Sequence, residues 1–208
     1  MTMKYIAVKN ALQQLLIDNA NGQFQVVGAQ KQEKSAEEFK GTSRMVEVYF
    51  KRGNFPKIKG RYLGPVTNEA EFAIEFTVSA PSRGDLSVLD DPEASVASKQ
   101  AALAGVKEAS FEADNEIDEL ISIVWDILMG AENEDLGLTG IVSSRWVDEA
   151  VKNDPNPRGS LVVLNGAMPY SCNVLETPPG ETPLDSEGIS LENDINEDDN
   201  QKAGISVT

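Results

Sequence analysis

A chain of 208 residues has room for one domain or two small ones. Folded as one unit, it would bury roughly 70% of its unfolded surface, enough for a core without staples. With no histidine and a single cysteine, Cys172, it cannot build a Ser-His or Cys-His nucleophile pair, a histidine metal site, a thiolate zinc site or an intrachain disulfide. Eighteen basic residues against thirty-four acidic ones give a net charge of −16, which disfavours wholesale binding to nucleic acid or to an anionic membrane.

The charge is unevenly spread. Residues 1–61 carry +6 and residues 62–208 carry −22. Two solvated surfaces are the simplest reading. The sharper one is a pair of opposite surfaces that meet head to tail in an assembly. Met1 to Asn10 lacks the apolar core of a signal peptide, and the longest apolar runs are about six residues, far below the roughly 20 that cross a bilayer. The expectation is therefore a soluble protein made in the cytoplasm.

Taken in order, Lys4 to Asp18 reads as a helix, with Val8, Leu12, Leu15 and Leu16 at helical spacing and Asn19 to Gly22 as its stop. Phe24 to Ala29 reads as a short strand and Lys31 to Lys40 as a polar loop. Arg44 to Phe50 alternates as a strand does. Lys51 to Arg61 is a positive cluster whose glycines and proline predict a loop or hairpin tip. Glu69 to Val78 alternates most clearly, predicting an antiparallel strand with Phe72, Ile74, Phe76 and Val78 inward and the other side solvated.

After a connection over Ala80 to Asp91, the Asp91-Pro92-Glu93 start predicts an alanine-rich helix to about Ala104, with Gly105 placed to break or bend it. Glu112 to Met129 predicts a second helix, its stripe of Ile117, Leu120, Ile121, Val124 and Leu128 widened by Trp125 and Ile127. Ile141 to Val147, Ser160 to Asn165 and Tyr170 to Glu176 read as strands, the last two separated by a turn at Gly166 to Pro169. The fold class expected is α+β: a mixed, largely antiparallel sheet flanked by two or three helices, in a single domain over 1–176. Residues 177–208, with eight acidic residues, one lysine and no aromatic, read as a disordered acidic tail.

Few residues carry a chemical signal. Lys51, Arg52, Lys57, Lys59 and Arg61, with Phe55 among them, suit an acidic partner surface, or phosphates with the aromatic stacked on a base. A solvated hairpin tip is the plainer alternative. Asp114 and Asp118 share a helix face, and Glu132, Glu134 and Asp135 follow its end, so a carboxylate site for Mg²⁺ or Mn²⁺ is conceivable. Acidic residues at a helix start need no metal, however, and no metal or cofactor is assigned. The stretch Asp194 to Asn200 lacks the glycine and glutamate of a calcium loop. Cys172 reads as a small buried hydrophobe, and Trp125 and Trp146 as core or subunit-interface anchors. There is no Walker loop, dinucleotide fingerprint or nucleophile elbow, and no catalytic residue is assigned.

The opening helix Val8 to Leu16, the strand Phe72 to Val78, the helix Ile117 to Leu128 and the closing strands Gly159 to Leu164 and Tyr170 to Val174 follow one another in an order that resembles tail terminator proteins of long-tailed bacteriophages. The resemblance covers about residues 1–176. It implies a mixed sheet flanked by helices, assembled as a homohexameric ring that caps the tail tube, ends tube polymerisation and gives the head or neck a docking surface. Its implied partners are the tail tube protein and a neck or head-completion protein. DNA would pass through the lumen without specific binding, and the place of action would be the neck end of the virion tail. On that picture Lys51, Arg52, Phe55, Lys57, Lys59 and Arg61 meet a neighbour or the tube. Competing readings are another neck or head–tail joining protein, a carboxylate-metal hydrolase and a nucleic-acid-binding adaptor.

Overall fold

A computed structural model describes residues 4–27, 43–54, 66–82, 84, 86–158 and 160–176. Helix α1 (Lys4–Asn19) buries Val8, Leu12 and Leu16 completely, one per turn of its inner face. Its exit uses the left-handed backbone of Asn21 and Gly22, at φ 47° and 76°. The strands β1 (Gln25–Val27), β2 (Ser43–Asn54), β3 (Val66–Pro81), β4 (Val142–Val147), β5 (Val151–Lys152), β6 (Asn156–Arg158) and β7 (Leu161–Glu176) form one seven-stranded sheet in the order β1-β2-β3-β7-β4, with β5 and β6 also paired to β7. The β1–β2 pair is parallel and the others are antiparallel. The architecture is mixed α+β, as the sequence predicts.

Strand alternation decides where the core lies. Val46 and Val48 on β2, Phe72, Ile74, Phe76 and Val78 on β3, and Leu164, Met168 and Tyr170 on β7 share one face and are fully buried. Helix α1 and helix α3 (Val96–Met129) cover that face, contributing to one contiguous apolar cluster. Tyr5 of α1 stacks on Phe50, with ring centroids 4.2 Å apart, and Phe50 meets Phe72 edge-on at 5.7 Å.

Four sequence expectations are corrected. The side of β3 expected to be solvated is buried at Glu71, Ala73, Thr77 and Ser79, because β3 is central and its neighbours supply partners. The Thr77 hydroxyl donates to Asn165 Oδ1 at 3.0 Å, and the Ser43 and Ser79 hydroxyls pair at 2.8 Å. The turn expected at Gly166 to Pro169 is absent: β7 runs straight through. Pro169 faces Ala73 of β3 while falling between the β7 residues that pair with β4 and those that pair with β5, a break in the ladder that suits a residue without an N–H. Between Val147 and Ser160, where no strand is expected, β5 and β6 pair back onto β7. Lys51 to Asn54 belong to β2 rather than to a loop. The expected loop 31–40 and the tail 177–208 lie outside the described residues.

The fifth difference is the largest. The two helices expected on either side of Gly105 are one 34-residue helix, α3, starting at Ser95, whose side chain accepts from the Ser98 N–H, rather than at Asp91. A short helix, α2 (Ser87–Asp90), precedes it. Gly105 is tolerated because it is buried on the inner side with Ala102, Ala109 and Ala113. These small residues permit close packing where Ile117, Leu120, Val124 and Leu128 later fill space. At Gly84 the connection after β3 presses on this part of the helix: a Cβ there would stand 2.1 Å from the Ala102 carbonyl oxygen. At Gly166 the fit is tight but milder, a Cβ falling 3.0 Å from the Val151 carbonyl oxygen and 3.1 Å from Ile117 Cδ1.

Cations hold α3 on both flanks. Arg44 of β2 reaches Glu116 and Glu119, both at 2.5 Å, and Lys152 of β5 reaches Asp114 and Asp118, both at 2.8 Å. Arg145 of β4 donates to the carbonyls of Gly130 and Asn133 just past the helix end, where a positive charge complements the helix dipole. At the other side of the molecule, Glu176 accepts the Lys4 N–H at 2.9 Å, so the last residue of β7 caps the first turn of α1.

Two predictions follow from this packing. Gly84→Ala should cost about 1–3 kcal/mol, since the new methyl meets backbone and the connection must move. A melting temperature equal to that of the parent would contradict the close approach. Arg44→Ala should cost about 1–3 kcal/mol, because its guanidinium is largely sheltered and doubly bonded. The more exposed Lys152→Ala should cost only about 0.5 kcal/mol. Denaturant unfolding of both variants tests that order.

Candidate interaction surface

The basic cluster begins where β2 loses its regular pairing with β3. Phe50 faces Phe72 and Arg52 faces Glu71, so Lys51 is the extra residue of a bulge. Strict alternation would send Lys51 and Arg52 to opposite faces. The bulge instead lets both converge on one carboxylate: Lys51 Nζ lies 2.7 Å from Glu71 Oε1, and Arg52 Nε donates to Oε2. The Glu71 side chain is 8% exposed, whereas Lys51 and Arg52 are 54% and 75% exposed. Lys51, and then Arg52, hold the Glu71 carboxyl below its ordinary pKa, against burial, which acts in the opposite direction.

Arg52, Gly53 and Asn54 with Glu69 and Glu71 line a cleft of about 320 Å³. Among the described residues that line it, Arg52 is the cation, Glu69 and Glu71 are the carboxylates, and none is a nucleophile. Of the residues singled out from sequence, Lys51 and Arg52 are therefore brought together and are already paired. Phe55, Lys57, Lys59 and Arg61 lie outside the described residues.

The carboxylates resolve into separate tasks. Asp114 and Asp118 do share a face, and it is occupied by Lys152, whose ammonium pKa they raise, Asp114 first. Asp135 accepts from Thr139 Oγ1 at 2.7 Å and from the Gly137 N–H at 2.9 Å, and these bonds lower its pKa. It thereby closes the turn in which Leu136 and Gly137 take positive φ. Among the described residues, no three His, Cys, Asp or Glu side chains converge as a metal site requires. Glu47 and Glu75 face each other across β2 and β3, with the Tyr49 hydroxyl donating to Glu75. Burial, then the contact with Glu75, raises the Tyr49 pKa. Cys172 is buried and its thiol is pushed up to about 12, so it is the inert apolar residue its sequence setting predicts.

The residues that sequence reading missed are on α3. Val96, Leu103 and Phe111 are exposed, and Trp125, expected to widen the core stripe, is 48% exposed on the outer side. Trp146 is half-buried on β4. The signal was present as spacings of seven, eight and fourteen residues, but it is visible only if Val96 to Met129 is one helix. Among the described residues, no helix is long and apolar enough to cross a membrane. In comparisons with known proteins, no family model matches the chain and no curated protein shows significant similarity to it.

The Glu71 pairing has a pH signature. A folded pKa below the unfolded one stabilises the protein above about pH 4–5, and this contribution is lost as the pH falls through the folded value. Glu71→Gln should lower the melting temperature at neutral pH. It should also shrink the fall in melting temperature between about pH 6 and pH 3. Identical pH profiles for the variant and the parent would rule out this role.

Proposed function

We propose that the chain is a structural protein of a bacteriophage virion, a tail terminator that assembles as a six-membered ring on the tail tube, ends tube polymerisation and presents the docking surface for the neck or head. Its place is the neck end of the tail, and its work is steric and interfacial rather than chemical. The observation that carries this reading is the separation of charge on a fold of the implied kind. A basic stretch leaves the β2–β3 end of the sheet, and an acidic helix lies across the β3–β7 face. Such a protomer suits heterologous contacts, in which one surface meets a different surface of the next copy and the series closes when the rotation allows. An acidic majority charge also suits a lumen through which DNA slides without adhering.

Native mass spectrometry of the purified chain tests the ring. Six copies of 22.5 kDa should appear near 135 kDa at low salt. Neutralising Lys57, Lys59 and Arg61 should abolish that species and leave the melting temperature unchanged. Lys51 and Arg52 are spared because removing them would strand the buried Glu71 carboxylate, at about 1–3 kcal/mol. A strict monomer at low and moderate salt would count against self-assembly.

A further inference from the structure

We propose that Asn21 is a site of spontaneous deamidation, at which the chain exchanges a side-chain amide for a carboxylate just past the end of α1. The sequence contains two Asn-Gly pairs, Asn21-Gly22 and Asn165-Gly166. In such a pair the glycine nitrogen can attack the asparagine Cγ, because no Cβ on the following residue stands in the way. The Gly22 nitrogen gives up its proton and its new bond to Cγ closes a five-membered succinimide. The side-chain nitrogen takes up a proton and leaves as ammonia. Water then opens the ring. Cleavage at the side-chain carbonyl leaves Asp, and cleavage at the main-chain carbonyl leaves isoaspartate, with the chain running on through Cβ and Cγ.

The fold treats the two pairs in opposite ways. Asn21, Gly22 and Gln23 are exposed in the turn between α1 and β1. Among the described residues, no backbone carbonyl accepts the Gly22 N–H, and a Cβ built on Gly22 would meet nothing within 4 Å. The Asn21 amide is bonded through the nitrogen that departs, Nδ2 donating to the Asn19 carbonyl at 3.2 Å on the surface. Bringing Cγ to the Gly22 nitrogen requires rotation about the Asn21 backbone and side chain. Both groups being exposed, the surrounding chain offers little resistance, and a turn of this kind opens locally at small cost.

Asn165-Gly166 is held shut. It lies within β7, where Asn165 faces Thr77 of β3, and Gly166 faces both Phe76 of β3 and Lys152 of β5. The Asn165 side-chain oxygen accepts from the Thr77 hydroxyl at 3.0 Å, and its main-chain carbonyl accepts the Asn153 N–H at 2.9 Å. Gly166 is buried, with the Val151 carbonyl oxygen 3.0 Å from where a Cβ would stand. Rotation there would break two ladders at once, so reaction awaits an opening of the central sheet. The product at Asn21 also has a consequence. It sets a negative charge past the last turn of α1, where the helix dipole is already negative, Asp18 stands close by in sequence and no basic residue compensates. Isoaspartate further lengthens the backbone of the turn that delivers β1 to the edge of the sheet.

The test is peptide mapping by mass spectrometry of the full chain, incubated at mildly alkaline pH with and without guanidinium chloride. In the native protein the Asn21 peptide should convert at least roughly tenfold faster than the Asn165 peptide. In denaturant the two should convert at comparable rates, since both pairs are then equally exposed. The Asn21→Asp variant carries the product charge from the start and should melt about 1–4 °C below the parent at neutral pH. Comparable native rates at the two sites overturn the assignment. So does a native Asn21 that stays intact over a time in which the unfolded chain reacts. An Asn21→Asp variant that melts with the parent refutes the effect on α1.

Discussion

Strands β3 and β7 are each sixteen residues long and pair without a break, from Val66 opposite Glu176 to Pro81 opposite Leu161. This register places every other element. It sets the fully buried side chains of the two strands on one face, and a slip of one residue would turn them all outward. Two strands of this length span roughly 50 Å, and a 34-residue helix spans about 51 Å. A helix broken at Gly105 would leave part of the apolar face bare. The length of the strand pair thus matches that of a continuous α3, and Gly84 is where backbone and helix come too close for a side chain.

Laying that helix on the sheet creates an electrostatic problem, because α3 is strongly acidic. The fold meets it with single cations drawn from three different strands. Arg44 and Lys152 each bridge two carboxylates one turn apart, from opposite flanks, and Arg145 satisfies carbonyls at the end where the helix dipole is negative. None of these contacts is large by itself. Together they select one rotation of α3 about its axis, the one that buries Ile117, Leu120, Val124 and Leu128 and turns Phe111 and Trp125 to solvent. The bulge at Lys51 repeats the logic on the far face, where two cations serve one buried carboxylate.

Much of this was legible from the sequence. Elements with strong local periodicity, α1 and β2 to β4, stand where alternation and helical spacing put them. Three of the differences are of one kind. Gly105, the Gly166 to Pro169 stretch and Lys51 to Asn54 carry residues that punctuate structure locally, and each lies inside a regular element because a long-range partner outweighs its propensity. The convergence of Lys51 and Arg52 on Glu71 was hidden for the same reason, since it depends on a bulge that exists only when β2 meets β3. Splitting α3 also conceals its outer side: Phe111 falls before the second expected helix, and Trp125 reads as a core or subunit-interface anchor without its exposed neighbours on the same helix.

Exposed aromatic residues on a surface helix ordinarily invite indiscriminate association. On α3 the exposed apolar side chains are interrupted by charge: Lys107 stands one turn from both Leu103 and Phe111, and Asp114 and Asp118, both held by Lys152, follow Phe111 on the same side before Trp125. Each apolar group thus has a charged neighbour along the helix, and the outer side of α3 does not form one continuous apolar patch.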